Sequence, residues 1–342
     1  MAQAASDGQG LTVLDGKTIG IVIPAFNEEM LIGRVFDTMP DFVDRMFAVN
    51  DCSSDRTGEI IEEYAARDPR IRPIHHEVNR GLGQTLIDGY LAAREEEIDV
   101  VAVMAGDAQM APDDLDHVVR PVVEGRADYV KGNRLLREEV VERMPRHRFL
   151  GNSLLTLLTK FATGYWHIID PQCGYTAIGK EALATIPIQQ MIKGYGYNAD
   201  ILYMLNLNNF PVLDVEVEPV YGDEKSKIKL ARYIPRVSRL LISRFIKRLV
   251  KKYMVREFHP LFMLYGFSAF NFVIAALMFV RFVWLYASLG VAPTTTLTLL
   301  MFSFSFAVFA LTFAMWMDME DNKKLNPRIS IGPRAEFRSQ DT

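Results

Sequence analysis

Residues 100–115 read VVAVMAGDAQMAPDDL, and no other stretch restricts the possible folds as much. An apolar run stops abruptly at Gly106-Asp107-Ala108-Gln109, and an acidic helix start follows at Pro112-Asp113-Asp114. Such a run is a buried strand with its polar residues gathered at the carboxyl end. A carboxylate and an amide two residues apart at that end can hold a hard cation, which can in turn hold a diphosphate.

The upstream sequence repeats the pattern. Ile19 to Pro24 (IGIVIP) predicts a strand, and Asn27-Glu28-Glu29 then starts a helix through Met39, its carboxylates at the positive end of the dipole. Arg45 to Asn50 predicts a second strand, closed by Asp51-Cys52-Ser53-Ser54-Asp55. Ser54 or Asp55 is the N-cap of a helix through Ala66. Ile71 to His75 predicts a third strand, followed by the turn Asn79-Arg80-Gly81-Leu82-Gly83 and a helix to Glu95. Asp99 to Ala105 is the fourth strand and Asp128 to Lys131 the fifth. Strands alternating with helices predict the α/β class, with a mostly parallel sheet covered on both faces.

At 342 residues and 49% hydrophobic content, the chain can build one large domain and an appendage. A net charge of −4 argues against a dedicated nucleic-acid binder. The two cysteines, Cys52 and Cys173, lie far apart, and no Cys-x-x-Cys pair suggests zinc. A reduced cytosolic compartment is the simplest reading. The sequence up to Lys17 is small and polar, without the basic start and apolar core of a signal peptide.

The character changes after Lys225. Ala231 to Val255 places Ile234, Val237, Leu240, Leu241, Phe245, Leu249 and Val250 at helical spacing with Lys and Arg between them. This predicts a basic amphipathic helix, broken near Pro235. Leu261 to Val280 and Leu297 to Met317 follow, both free of charge and each long enough to cross a bilayer. Between them, Arg281 to Thr296 reads as a short connector. Lys and Arg are concentrated outside the pair, so the positive-inside rule sets both ends in the cytoplasm. The basic helix then rests on the anionic inner leaflet.

Three strand ends carry the candidate chemistry. Pro24-Ala25-Phe26-Asn27-Glu28-Glu29 can line a base or ribose pocket, with Glu28 or Glu29 accepting hydrogen bonds, and is equally an ordinary acidic helix start. Asp51 can accept from the ring N–H of a base, whereas Ser54 and Asp55 read as capping residues. Asp107 and Gln109 can hold a divalent cation that neutralises a leaving diphosphate. Together the three suggest a nucleotide-sugar site.

PAFNEE, NDCSSD, RGLG and GDAQM, in this order and spacing between Ile19 and Lys229, resemble the inverting family 2 glycosyltransferases of GT-A fold. The resemblance implies a Rossmann-like nucleotide-diphospho-sugar domain. It implies that Glu28 and Asp51 hold the nucleoside, with Pro24, Phe26, Asn27, Gly81, Gly106 and Ala108 lining the donor site. It also implies Mg²⁺ or Mn²⁺ on Asp107 and Gln109. The family's metal motif usually reads Asp-x-Asp, and here Ala105 stands in place of the first carboxylate. Within the family, the chain is most similar to the polyprenyl-phosphate (dolichol-phosphate) hexosyltransferases. Lys131-Gly132-Asn133-Arg134 resembles the segment whose Arg faces the phosphates. Arg148 and Asn152 are similar to a pair that receives the lipid phosphate. Asp170-Pro171-Gln172-Cys173-Gly174-Tyr175 resembles an Asp-x-x-Ser-Gly-Phe turn, with Cys for Ser. Tyr221 to Lys229 is similar to a basic loop over the donor, with Lys225, Ser226 and Lys227 as its phosphate contacts. Arg134 and Arg148 also read as surface cations, and Lys225, Lys227 and Lys229 as a membrane-facing run.

The resemblance implies transfer of a hexose from a GDP-mannose or UDP-glucose type donor to polyprenyl or dolichyl phosphate. A hydroxyl acceptor needs a general base, and a lipid phosphate needs none. Asp200 either is that base or orients a loop cation, and the membrane appendage favours the second. The rival readings are a hydroxyl-acceptor enzyme of lipid or polysaccharide synthesis and a non-catalytic nucleotide-sugar sensor. His75, His76, His147 and His167 form no pattern and read as structural or surface residues. The expected organisation is a flexible 1–17, a GT-A domain over 18–229, juxtamembrane helices over 230–258, two transmembrane helices over 259–318 and a cytoplasmic tail over 319–342. Paired transmembrane helices also permit a homo-oligomer.

Overall fold

The computed structural model describes residues 14–135, 146–194, 196–218 and 230–328; the side chains of 146–150, 152 and 230–234 are outside that description. The described residues fall into two compact units, one up to Ile242 together with Leu325 onwards, the other Ser243–Lys324.

The first unit is built on a seven-stranded sheet of order β3-β2-β1-β4-β6-β5-β7. The strands are β1 Ile19–Ala25, β2 Arg45–Asn50, β3 Ile71–His75, β4 Val100–Val103, β5 Tyr129–Asn133, β6 Thr176–Gly179 and β7 Val212–Glu216. Pairing is parallel at β1·β2, β2·β3, β1·β4 and β5·β7, and β6 runs antiparallel between β4 and β5. Every residue of β1 is buried, because helices cover both faces. Ile19, Ile21 and Ile23 point into one core layer, and Val22 with Phe47, Val49, Val101 and Val103 into the other. Burying side chains of this size stabilises by about 1.5–3 kcal/mol each. The sheet thereby becomes a rigid base whose polar strand ends lie on one edge.

The helices are α1 Ile32–Asp37, α2 Thr57–Ala65, α3 Leu82–Glu95, α4 Leu115–Val123, α5 Arg146–Thr163, α6 Lys180–Thr185, α7 Tyr197–Leu207, α8 Leu230–Arg248, α9 Pro260–Leu289 and α10 Thr294–Asn322. Helix α1 begins later than Asn27-Glu28-Glu29 predicts. Those residues are bonded to the loop after β2, and Asn27 takes a left-handed φ of 57° that no helix start accommodates. Helix α8 runs through Pro235 without ending there. The irregularity comes later, as a π-helical stretch Leu249–Arg256. Val237 and Leu241 of α8 pack with Ala162 and Ala199, so this part of the amphipathic helix belongs to the first unit.

The second unit pairs α9 with α10. The predicted connector is mostly helical, since α9 continues to Leu289 and only residues 290–293 separate the two helices. Small residues line the contact (Ser268, Ala275, Ser303, Ala307, Ala310, Ala314), and Ser268 Oγ donates to the Ala307 carbonyl at 2.8 Å. Phe270, Trp284, Phe309 and Trp316 face outward. Small residues inside and large apolar ones outside suit a helix pair surrounded by lipid. At one end, Arg248 forms a bidentate pair with Asp318 at 2.7 and 2.8 Å, both side chains fully buried. Lys252 donates to Asn322 at 3.0 Å beside it, and burial lowers that ammonium to about 8.

Candidate active site

The loops after β1 and β2 form one structure. Asp51 N–H donates to the Ala25 carbonyl at 2.9 Å. Asn27 Oδ1 accepts from Ser54 N at 2.9 Å, Asn27 N donates to Ser53 Oγ at 3.0 Å, and Glu28 N donates to Thr57 Oγ1 at 2.8 Å. The Glu29 carboxylate takes the Arg56 N–H at 3.1 Å, so it helps hold the second loop. Phe26 stands 45% exposed beside this frame, an aromatic side chain accessible to a ligand. The loop after β4 joins the same edge, with Gly106 N donating to the Pro24 carbonyl at 3.0 Å. A Cβ on Gly106 would meet Ile32 Cδ1 at 3.0 Å and Pro24 O at 3.1 Å, so a side chain there would need Ile32 and the Pro24 backbone to give way. Asp107 Oδ1 accepts from Gln109 N at 3.1 Å, which places both residues on one tight turn.

Among the described residues, seven non-glycines have positive φ, and three are Asn27, Cys52 and Ala108, one on each loop. Backbone of this kind is costly outside glycine and concentrates at functional sites.

Asp51 is more engaged than its sequence position suggests. Its Oδ1 accepts from Arg80 N at 2.7 Å and its Oδ2 from Gly81 N at 2.8 Å, which fixes the Arg-Gly-Leu-Gly turn. His76 Nδ1 lies 2.8 Å from Asp51 Oδ1, and His76 Nε2 lies 2.9 Å from Asp88 Oδ2. The turn sits against residues 192–193. A Cβ on Gly83 would come within 2.1 Å of Ile192 O. Asp200, fully buried on α7, accepts Ile192 N–H at 2.8 Å.

A second cluster lies at the ends of β5 and β7. Arg134 grips Asp170 through Nε at 2.8 Å and Nη2 at 3.2 Å, so this cation has a fixed orientation. Lys131 is fully buried and donates to Cys173 O at 2.5 Å and Asn198 Oδ1 at 2.9 Å; burial lowers it to about 8. Asp214 accepts from Asn133 Nδ2 and Ile169 N, both at 2.8 Å, and burial raises it to about 6. Together these bonds pin the 170–175 turn. Arg148 and Asn152 lie on α5, but their side chains are outside the described residues, as are Lys225, Ser226 and Lys227. Among the described residues, no group of three or more His, Cys, Asp or Glu side chains is placed to hold a metal. A hollow of about 400 Å³ lined by His117, Arg120, Arg126, Asp214, Glu216 and Arg328 contains none of the predicted donor residues.

The sequence reading missed His76, Asp88, Lys131, Asn198 and Asp214. Their partners stand far away in the chain, and spacing carries no sign of them. His167 is structural, as expected: Nε2 donates to Val212 O at 2.8 Å, and burial lowers the ring to about 4.

The profile of glycosyl transferase family 2 matches residues 20–186, a range that covers the loops after β1, β2 and β4. The chain carries a glycosyl transferase family 2 domain. It is a glycosyltransferase. The UDP-N-acetylglucosamine–dolichyl-phosphate N-acetylglucosaminyltransferase of Methanococcus voltae is 29% identical over 220 residues, which is 60% of this chain and 87% of that protein. The polyprenol monophosphomannose synthase of Mycolicibacterium smegmatis is 28% identical over 58% of this chain and 75% of its own. A crystal structure of glucosyl-3-phosphoglycerate synthase from Mycobacterium tuberculosis superposes with a TM-score of 0.50 at 22% identity, covering 68% of this chain and 78% of that one. The family 2 domain therefore has the GT-A fold, and α9 and α10 are the chain's two C-terminal apolar helices.

Proposed function

We propose that this glycosyltransferase moves a hexose from a GDP-mannose or UDP-glucose type donor to polyprenyl or dolichyl phosphate, with inversion at the anomeric carbon. The observation that carries the reading is the joining of three strand-end loops, each turning on a left-handed residue, into one frame around Glu28, Asp51 and Asp107. The acceptor class follows from two relatives whose names share a lipid phosphate, although their sugars differ.

In this reading Glu28 and Asp51 hold the nucleoside, with Pro24, Phe26 and Asn27 beside them and Gly81 shaping the turn. Gly106, Asp107 and Ala108 meet the diphosphate, and Lys225 and Lys227 close over it. Asp107 and Gln109 hold Mg²⁺ or Mn²⁺. The donor set fits: ions of this kind take one or two protein ligands and complete their shell with water and substrate phosphate. When bound, the cation neutralises charge on the departing diphosphate. Arg134, fixed by Asp170, assists.

Arg148, Asn152 and Ser226 receive the acceptor phosphate. One of its oxygens forms the new bond to the anomeric carbon as the bond to the donor diphosphate breaks on the opposite face. The attacking group is already anionic, so no general base is required. The engagement of Asp200 with Ile192 N–H supports a positioning role for that carboxylate.

The catalytic domain (18–229) is cytoplasmic, the helices of 230–258 lie at the interface, and α9 and α10 cross the bilayer with both ends inside. Lys251, Lys252 and Arg256 on one side and Lys323, Lys324 and Arg328 on the other support this orientation, while residues 290–293 carry no charge. The test is a panel of UDP- and GDP-sugars with polyprenyl phosphate in detergent, scored by lipid-extractable label. An acid-labile glycosyl phosphate is expected; a stable glycoside, or no product with any donor, would overturn the acceptor assignment.

A further inference from the structure

His76 is a buried histidine between two carboxylates, and the transfer chemistry does not use it. It follows β3, and its own N–H donates to the Asn50 carbonyl at 2.9 Å, so its backbone is fixed against the end of β2. Its side chain is 4% exposed. Nδ1 faces Asp51 Oδ1 at 2.8 Å, and Nε2 faces Asp88 Oδ2 at 2.9 Å. The ring is thus held at both nitrogens, each against a carboxylate oxygen.

The two carboxylates differ in kind. Asp51 is 5% exposed, stands at the strand end and holds the 79–81 turn through Arg80 N and Gly81 N. Asp88 belongs to α3, a helix packed on the sheet. It is 23% exposed and takes Gln84 Nε2 at 2.9 Å, with Arg80 Nη1 3.8 Å away. A carboxylate held by one donor can rotate about its last torsion. One held from three directions cannot, and a ring anchored at its far nitrogen keeps that third direction constant.

We infer that His76 is a positioning residue for the donor nucleoside: clamped on Asp88, it locks the Asp51 carboxylate and the 79–81 turn in the orientation that receives the base. This rests on the proposed role of Asp51, and it assigns His76 no contact with the donor. The asymmetry of the clamp gives it a specific signature. The Nδ1 contact acts on Asp51 directly, whereas the Nε2 contact acts only through the ring.

The amide of Asn places its NH₂ where Nδ1 stands, and that of Gln reaches the position of Nε2. His76→Asn therefore keeps a donor for Asp51 and loses Asp88, while His76→Gln does the reverse. A residue that merely filled space would tolerate the two in proportion to lost stability. The experiment measures UDP and GDP binding, with Mg²⁺ present, to the full chain in detergent by calorimetry, with melting temperatures recorded in parallel. His76→Gln is expected to weaken the better-bound nucleotide about tenfold or more, and His76→Asn by no more than about threefold. Asp88→Ala, which leaves the ring in place without its anchor, is expected to lose affinity between those limits and keeps the idea testable should His76→Gln fail to fold.

Equal losses in His76→Asn and His76→Gln, or wild-type affinity in Asp88→Ala, would overturn the inference. Asp51→Asn separates it from the reading beneath it. Unchanged nucleotide affinity in Asp51→Asn would remove the nucleoside role of Asp51 itself. A loss there with none in His76→Gln would leave that role standing and reject only His76.

Discussion

Asp200, fully buried near the start of α7, accepts the backbone N–H of Ile192 at 2.8 Å, and the adjacent Lys193 carbonyl accepts Gln84 N–H at 3.3 Å on α3. A carboxylate expected to act as a base or to orient a loop cation thus holds backbone that presses on the turn bound by Asp51. Asp200→Asn retains an acceptor for Ile192, so transfer is expected to fall by less than about tenfold. Loss of a general base would cost about 10²–10⁴. Steady-state rates for the variant, read against Asp200→Ala, decide between the two roles.

Asp107 stands half-buried on the turn after β4, where its carboxylate can meet a ligand. Asp107→Ala is expected to lower transfer by about 10² or more, the scale of a lost charge-stabilising group, with an unchanged melting temperature. Chelation with EDTA should act like the substitution, and added Mn²⁺ or Mg²⁺ should restore only the wild type. Wild-type turnover by the variant would refute the metal assignment.

Gly83 lies under backbone. Its missing Cβ would meet Ile192 O at 2.1 Å and Lys193 C at 2.6 Å, contacts that no rotamer change relieves. Gly83→Ala is expected to cost about 1–3 kcal/mol and to weaken nucleotide binding, because the turn that Asp51 holds must move. Chemical denaturation and nucleotide titration of the same sample would test both.

The Lys131–Asp214 cluster makes its own least favourable contribution to stability near neutral pH. Burial raises Asp214 from 3.8 to about 6, so the folded state binds the extra proton and stability falls as pH rises through that window. Burial lowers Lys131 from 10.5 to about 8, so stability is regained as pH rises from 8 towards 10.5. Asp214→Asn keeps an acceptor for Asn133 and Ile169. It should flatten the acid limb and raise stability at pH 7, by about 3 kcal/mol at most from a shift of that size. Melting curves from pH 4 to 7 for both proteins would show it; parallel curves would reject it.

Arg248 and Asp318 are each fully buried and bonded to one another in two places. Asp318→Ala leaves a guanidinium without its counter-charge and is expected to cost about 3–5 kcal/mol, whereas a paired Arg248→Met, Asp318→Leu replacement should recover most of that. Thermal melts in detergent would compare single and double variants.

Strands β1, β2 and β3 were legible because each is a short apolar run broken by polar residues, and both faces of the sheet are covered. Strands β6 and β7 were not. Four or five residues without periodicity or turn signals give a sequence reading nothing to detect, and β6 enters the sheet against the direction of its neighbours. The first residues after β1 were misread as helix for a similar reason. Glu28 and Glu29 suit a helix start, but Thr57 and Asp55 supply partners for their N–H groups from another loop, and Ser53 does so for Asn27.

Sequence by itself determined the α/β class, the apolar helix pair and the positions of Glu28, Asp51 and Asp107, because local polarity patterns mark strand ends and membrane-length helices. Only the tertiary structure decided what those residues are bonded to. His76 reaches both Asp51 and Asp88, Lys131 reaches Asn198, and Arg248 reaches Asp318, across separations of 12 to 70 residues. Hydrogen bonds over such distances form when packing brings two side chains within about 3 Å, and nothing in the spacing of a single chain encodes that approach.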